Sequence, residues 1–191
     1  MINACYLIKD SWAFISYALL FILLRYGKIN TLILPWGEME VSALLIAAAV
    51  LLFDQLSKWI IQHTMEIGQS IPVITNIFHI TYWRNPGAAF GILAFHTNFF
   101  IIVGILVSLV LIVVLLKLPP GRSLLKIALS LQLGGAAGNL IDRMRTGYVT
   151  DFFDFRVWPV FNIADSAIVV GVILLSWVLL IAPETNPNPN G

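Results

Sequence analysis

Residues 98–116, NFFIIVGILVSLVLIVVLL, run without a single charge and are dense in Ile, Leu and Val. About 20 consecutive apolar residues are enough to cross a bilayer as a helix. The run ends at Lys117 and the breaker Pro119-Pro120-Gly121, so it reads as one membrane span with a defined stop. Residues 41–61 form a second apolar stretch, interrupted by Asp54 and Lys58, which stand four apart and share one helical face. A third span is expected over residues 124–141, where Gly134, Gly135 and Gly138 offer small positions for close helix contact. The fourth covers residues 161–182, with Asp165 near its start.

Composition agrees with this pattern. Of the 191 residues 59% are hydrophobic and 11% charged, against roughly 25% charged in soluble domains. The reading is an all-α integral membrane protein with four transmembrane helices. The ten acids and eleven bases leave a net charge of +1 and are scattered singly, so no basic face exists for nucleic-acid phosphates and none is expected as a partner. The lone Cys5 cannot close an intrachain disulfide, and paired Cys/His spacings for zinc are missing. Chemistry without metal or cofactor, or none, is left.

Three units follow: an extension over residues 1–40, a membrane-embedded domain over 41–182 and a disordered Pro/Asn-rich tail over 183–191. The extension holds a short apolar run at 11–24 that suits an interfacial or short extra helix, while Met39 is an alternative start. Residues 77–83 alternate with period two in β-prone types, which predicts a small sheet at the membrane surface. The connection 142–160 mixes Asp142, Arg143, Arg145, Asp151, Asp154 and Arg156 with aromatics, a composition suited to an interface.

An ionisable residue inside or at the edge of a span is costly unless paired or hydrated, so it marks a functional site. Asp54, Asp142, Asp151 and Asp165 fall at one end of an alternating four-span bundle, and Asn85, Asn139 and Asn162 lie at the same level. Two carboxylates held close cannot both ionise; the ionised one activates water while the protonated one donates to a carbonyl. That pairing hydrolyses peptides without metal, cysteine or serine.

The set Asp54-Gln55-Leu56-Ser57-Lys58, Arg84-Asn85-Pro86-Gly87-Ala88-Ala89-Phe90-Gly91, Gly134-Gly135-Ala136-Ala137-Gly138-Asn139-Leu140-Ile141-Asp142-Arg143, Gly147-Tyr148-Val149-Thr150-Asp151-Phe152 and Phe161-Asn162-Ile163-Ala164-Asp165-Ser166, in this order, closely resembles the motifs of bacterial lipoprotein signal peptidase, or signal peptidase II. The resemblance runs over roughly residues 41–182 and leaves the first forty without a counterpart. It implies that Asp151 and Asp165 are the catalytic aspartates, that Asn85, Asn139, Arg143 and Asn162 line the site and bind substrate, and that Asp54 and Lys58 are the pair on the first helix. It also implies both chain ends in the cytoplasm, a small extracytoplasmic β-cradle, residence in the bacterial inner membrane, and cleavage of diacylglyceryl-modified prolipoproteins just before the lipidated cysteine. A monomer among membrane lipids, inhibited by globomycin-like cyclic peptides, is the further expectation.

Alternatives attach to several residues. Asp165 and Asp151 also fit a helix N-cap and a surface acid. Asp142 is either half of an ion pair with Arg143 that closes a helix or a reserve catalytic acid. Asp54 and Lys58 suit an i,i+4 pair or contact with substrate or lipid head groups, and Asn85 before Pro86-Gly87 suits a turn. Ser123 and Lys126 match a Ser-Lys nucleophile spacing but stand at the end of the bundle opposite the acids. His63, His79 and His96 lack paired metal spacing. At the level of function, a proton or cation pathway and an assembly subunit compete with the peptidase; the acids cluster near one interface rather than at successive depths, which favours the enzyme. Charge counting sets Lys58, Arg84, Arg143, Arg145 and Arg156 at the acids' end against Lys117, Arg122 and Lys126, which by the positive-inside rule would put the acids in the cytoplasm.

Overall fold

The computed structural model describes residues 41–87, 97–118 and 121–181. The extension, the tail, Pro119-Pro120, the Ala88–Gly91 part of the second motif and His96 lie outside these residues.

Among the described residues four helices are long and apolar enough to cross a membrane: α1 (Val41–Thr64), α2 (Thr97–Lys117), α3 (Ser123–Thr146) and α4 (Ile163–Ile181). The first three contain their expected spans, whereas α4 begins at Ile163, two residues inside the expected start, because Phe161 pairs with Phe153 and Asn162 caps the helix. α1 continues past Ile61 to Thr64, and α3 continues through Asp142, Arg143 and Arg145. The connection expected from residue 142 therefore begins at Gly147, and the first ionisable groups assigned to it stand on the last turns of a helix. Hydropathy falls after Ile141, but the helix ends only where Gly147 takes a left-handed φ of 81° and donates its N–H to the Arg143 carbonyl, the helix stop that glycine makes without a Cβ clash.

α3 is the centre of the bundle and packs against α1, α2 and α4. Leu111 of α2, Ala128 and Leu129 of α3, and Ile168 and Leu175 of α4 are completely buried. Leu45, Leu52 and Phe53 of α1, Ile102 and Leu106 of α2, and Ile173 and Trp177 of α4 face outward, as lipid-facing side chains must. Lipid tails are as apolar as leucine, so helix association in a membrane depends on close packing and polar contacts more than on expulsion from water. The glycines supply the closeness: a Cβ on Gly134 would strike the Ala47 carbonyl and Val50 of α1, and one on Gly135 or Gly171 would strike the facing backbone across the α3–α4 seam.

At the end of the bundle where α1 and α3 finish, β1 (Ser70–Ile74), β2 (Phe78–Asn85) and β3 (Val149–Asp154) form an antiparallel sheet in that order. β2 holds the period-two segment. β1 is exposed throughout, whereas β3 is almost wholly buried against α1 and α3. A hydroxyl chain ties the strands together: Ser70 Oγ meets Thr81 Oγ1 at 2.7 Å, and Thr81 donates to Asp154 Oδ2 at 2.8 Å. Burial opposes ionisation of Asp154, but hydrogen bonds from the Arg156 backbone, the Thr81 hydroxyl and the Arg156 guanidinium outweigh it and hold the carboxyl below its ordinary range.

Candidate active site

β3 delivers Asp151 and the first turn of α4 delivers Asp165. Asn162 stands immediately before α4. Its Oδ1 accepts the Asp165 N–H at 2.9 Å and its Nδ2 donates to Asp151 Oδ1 at 2.7 Å. Asn85, at the end of β2, donates to the other Asp151 oxygen at 2.9 Å. Asn139, on α3, donates to Asp165 Oδ1 at 2.8 Å. The two amides also touch each other, Asn162 Nδ2 to Asn139 Oδ1 at 3.2 Å. Four elements thus converge on one pair of carboxylates, each of which receives donors fixed by neighbouring backbone.

Asp151 is 1% exposed, while Asp165 is half-buried. Burial and the nearby Asp165 carboxylate push the Asp151 carboxyl up to about 8, against the pull of the two amide donors and of Lys58. A carboxyl in that position keeps its proton at neutral pH and can act as an acid. Arg143 is buried beside the site, with its guanidinium 5.2 Å from the Phe100 ring and attracted to the carboxylates of Asp165, Asp151 and Asp142.

Beneath the pair lies a second polar layer. Lys58 Nζ contacts Asp54 Oδ2 at 2.8 Å, Asp142 Oδ2 at 3.1 Å and Asn139 Oδ1 at 2.9 Å, so its three donors meet three acceptors. Lys58 is 1% and Asp54 0% exposed. The two form the i,i+4 ion pair that their spacing allows, and both are buried. Asp142 makes its ion pair with Lys58, across to α1, and its second oxygen accepts from Gln55 Nε2 at 3.0 Å. Both of its oxygens are thus engaged, one by Lys58 and the Thr150 N–H and the other by Gln55. Losing one partner of a buried ion pair costs about 3–5 kcal/mol. Gly138 leaves room here, because a Cβ would run into the Asp54 carboxylate that Lys58 and the Ala164 N–H hold in place.

Asn85 takes both of its alternatives. Its Oδ1 accepts the Gly87 N–H at 2.9 Å, forming the turn, while its Nδ2 serves Asp151. Asp165 likewise belongs to the helix cap and to the acid pair. Gln55 bridges Asp54, Asp142 and the Gly138 carbonyl, and Gln62 reaches Thr150 Oγ1 at 2.7 Å; neither was assigned a role from sequence, although both lie one turn apart from charged or paired positions on α1. Ser123 and Lys126 begin α3, at the opposite end of that helix from Asn139 and Asp142. His63 and His79 bond locally, to the Trp59 carbonyl and to Ser70, and no cluster of metal-ligating side chains occurs among the described residues.

Residues 46–181 match the family model described as signal peptidase (SPase) II. A lipoprotein signal peptidase of Moorella thermoacetica is 55% identical over 138 residues, which cover 72% of this chain and 92% of that protein. One from Pelotomaculum thermopropionicum is 48% identical over 136 residues, covering 71% and 90%. A solved bacterial membrane enzyme, determined by the in meso method at 2.3 Å, superposes with a TM-score of 0.73 at 38% identity over 83% of this chain and 99% of that one.

Proposed function

Because this chain belongs to the signal peptidase II family, we propose that it removes signal peptides from diacylglyceryl-modified prolipoproteins, with Asp151 and Asp165 as the reacting pair. The observation that carries the assignment is the convergence of Asn85, Asn139 and Asn162 on these two carboxylates. Asp165, the more exposed member, takes a proton from water as the water oxygen adds to the scissile carbonyl carbon. Asp151 gives its proton to the carbonyl oxygen. Collapse of the tetrahedral intermediate breaks the C–N bond, a proton passes to the leaving amine, and one proton remains on the pair. The fixed amides cost no reorganisation during these steps.

Arg143, Asn139 and Asn162 line this site. The family likeness supports an inner-membrane enzyme with its acids on the extracytoplasmic side, acting as a monomer and open to globomycin-like cyclic peptides. The burial of Lys58 and Arg143 is consistent with that orientation, because both are part of the site's own charge balance and do not act as free charges at the membrane surface.

The test is cleavage of a lipid-modified precursor by purified wild type, Asp151→Asn and Asp165→Asn. Each variant should insert and fold yet lose cleavage, since an amide cannot exchange the proton the pair requires. Turnover by either at the wild-type rate would refute the assignment.

A further inference from the structure

The layer beneath the two aspartates has an internal symmetry. Asp54 Oδ1, on α1, accepts the N–H of Ala164 at 2.9 Å, the residue immediately before Asp165. Asp142 Oδ2, on α3, accepts the N–H of Thr150 at 3.0 Å, the residue immediately before Asp151. Both carboxylates close on the same ammonium, that of Lys58, at 2.8 and 3.1 Å. The third Lys58 contact, to Asn139 Oδ1, fixes that amide with its Nδ2 toward Asp165. Gln55 ties the two arms together by donating to both carboxylates.

We propose that Lys58 is a positioning residue for the reaction, the common anchor of two arms, Asp54 to Ala164 N–H and Asp142 to Thr150 N–H, that set where the Asp165 and Asp151 carboxylates stand relative to each other. The inference rests on the assignment of these two aspartates as the reacting pair. β3 and α4 are separate elements joined by a loop, tied on one side by Asn162 and by the backbone pairing of Phe153 with Phe161. The buried Lys58 adds a second tie from beneath, with an arm to the residue before each aspartate. Long charged side chains are rarely buried completely, and here burial is compensated by three acceptors, two of which continue to the backbone of the pair.

The same arrangement gives the pair an electrostatic signature. The charged groups acting on the pair are Lys58 and Asp54 from α1 and Arg143 from α3, with Asp142 held against Lys58, while β2 brings the neutral amide of Asn85. Removing the Lys58 charge should move both limbs of the bell-shaped pH profile of kcat to higher pH; removing the Asp142 charge should move them lower.

The experiment is steady-state cleavage of a lipid-modified precursor, in detergent, by Lys58→Met and Asp142→Asn, with kcat expressed per folded enzyme. Lys58→Met should lower kcat roughly 100-fold, as a displacement near 1 Å of a reacting group does, with KM little changed and both limbs shifted upward by about one unit. Asp142→Asn should show a smaller loss and the opposite shift. A purely structural support would lower the yield of folded protein and leave kcat and the limbs where they were; that result overturns the proposal. If Lys58→Met does not accumulate, the direction of the Asp142→Asn limbs decides it, a profile unmoved from wild type being the contrary result. Loss of cleavage in Asp151→Asn and Asp165→Asn, measured alongside, separates failure of this inference from failure of the peptidase assignment.

Discussion

Asn162 and Asp165 cap each other at the start of α4: the Asn162 side-chain oxygen accepts the Asp165 N–H at 2.9 Å, and the Asp165 carboxylate returns a longer contact to the Asn162 N–H at 3.4 Å. This is the reciprocal N-terminal cap in which an N-cap side chain and an acid three residues later satisfy each other's backbone donors. Its consequence is chemical. With Oδ1 committed to the cap, the Asn162 Nδ2 points to Asp151, so the device that starts a membrane helix also fixes a donor on the other carboxylate.

Asn162→Ser separates the two duties. Serine caps helices about as well as asparagine, so the thermal midpoint in detergent should stay close to wild type, while cleavage falls because Asp151 Oδ1 loses its Asn162 donor and keeps only the Asn85 amide on its other oxygen. Asn162→Ala should lose both, with about 1 kcal/mol of stability from the missing cap. Full cleavage by the serine variant would mean that the Asn162–Asp151 bond is dispensable.

A pH dependence follows from Asp151. Its carboxyl is held near 8 by burial and by Asp165, so the folded protein binds this proton more tightly than the unfolded chain does. The resulting stability is fully present below the ordinary value of 3.8 and is lost as pH rises through about 8. Unfolding midpoints in detergent should therefore decline from acid toward pH 8, and Asp151→Asn should flatten that decline. Cleavage should fall over the same upper range as the proton is lost. A midpoint that rises with pH across this window in wild type would contradict the assignment of a buried, protonated Asp151.

What was legible in the sequence follows physical rank. α2 is plain because residues 98–116 carry no charge, and the α1 pair is plain because Asp54 and Lys58 are four apart. Hydropathy ends the third span near Ile141 because it registers lipid contact, whereas Asp142 and Arg143 remain helical by facing Lys58 and the Phe100 ring. The alternation in residues 77–83 located β2, but β1 carries Pro72 and is exposed along its whole length, and β3 is buried on both faces, so neither shows a period of two. The acid pair and its asparagines were readable as residue types collected at one level. Gln55 and the two backbone N–H groups that receive Asp54 and Asp142 were not, since which peptide group meets which carboxylate depends on the packing of three helices and a strand.

Residues 1–38 should be dispensable. The family match begins at residue 46, and every polar contact described around the aspartate pair lies within residues 54–165. A chain starting at Met39 is expected to insert and to cleave at close to the full-length rate. Loss of cleavage in a truncated chain that still accumulates in membranes would make the extension part of the working enzyme.

Substrate choice should depend on the lipid. Around the end of the bundle that holds Asp151, the sheet and its loops expose Ile71, Ile74, Trp83, Phe155 and Val157, the last 91% accessible. The exposed Arg84 and Arg156 stand among these apolar residues, and Trp59 and Ile60 of α1 also face outward. Acyl chains add about 0.8 kcal/mol of membrane affinity per buried methylene, so a diacylglyceryl group would hold the bond beside it at the depth of the aspartates while the signal helix remains among lipids. A precursor without the lipid presents the same peptide bond with nothing to fix its depth, and effective concentration at the site falls accordingly. Matched precursors with and without the diacylglyceryl group, assayed in liposomes, should differ by orders of magnitude in kcat/KM. Equal cleavage of both would rule out positioning by the lipid and indicate a peptidase that selects on the peptide alone.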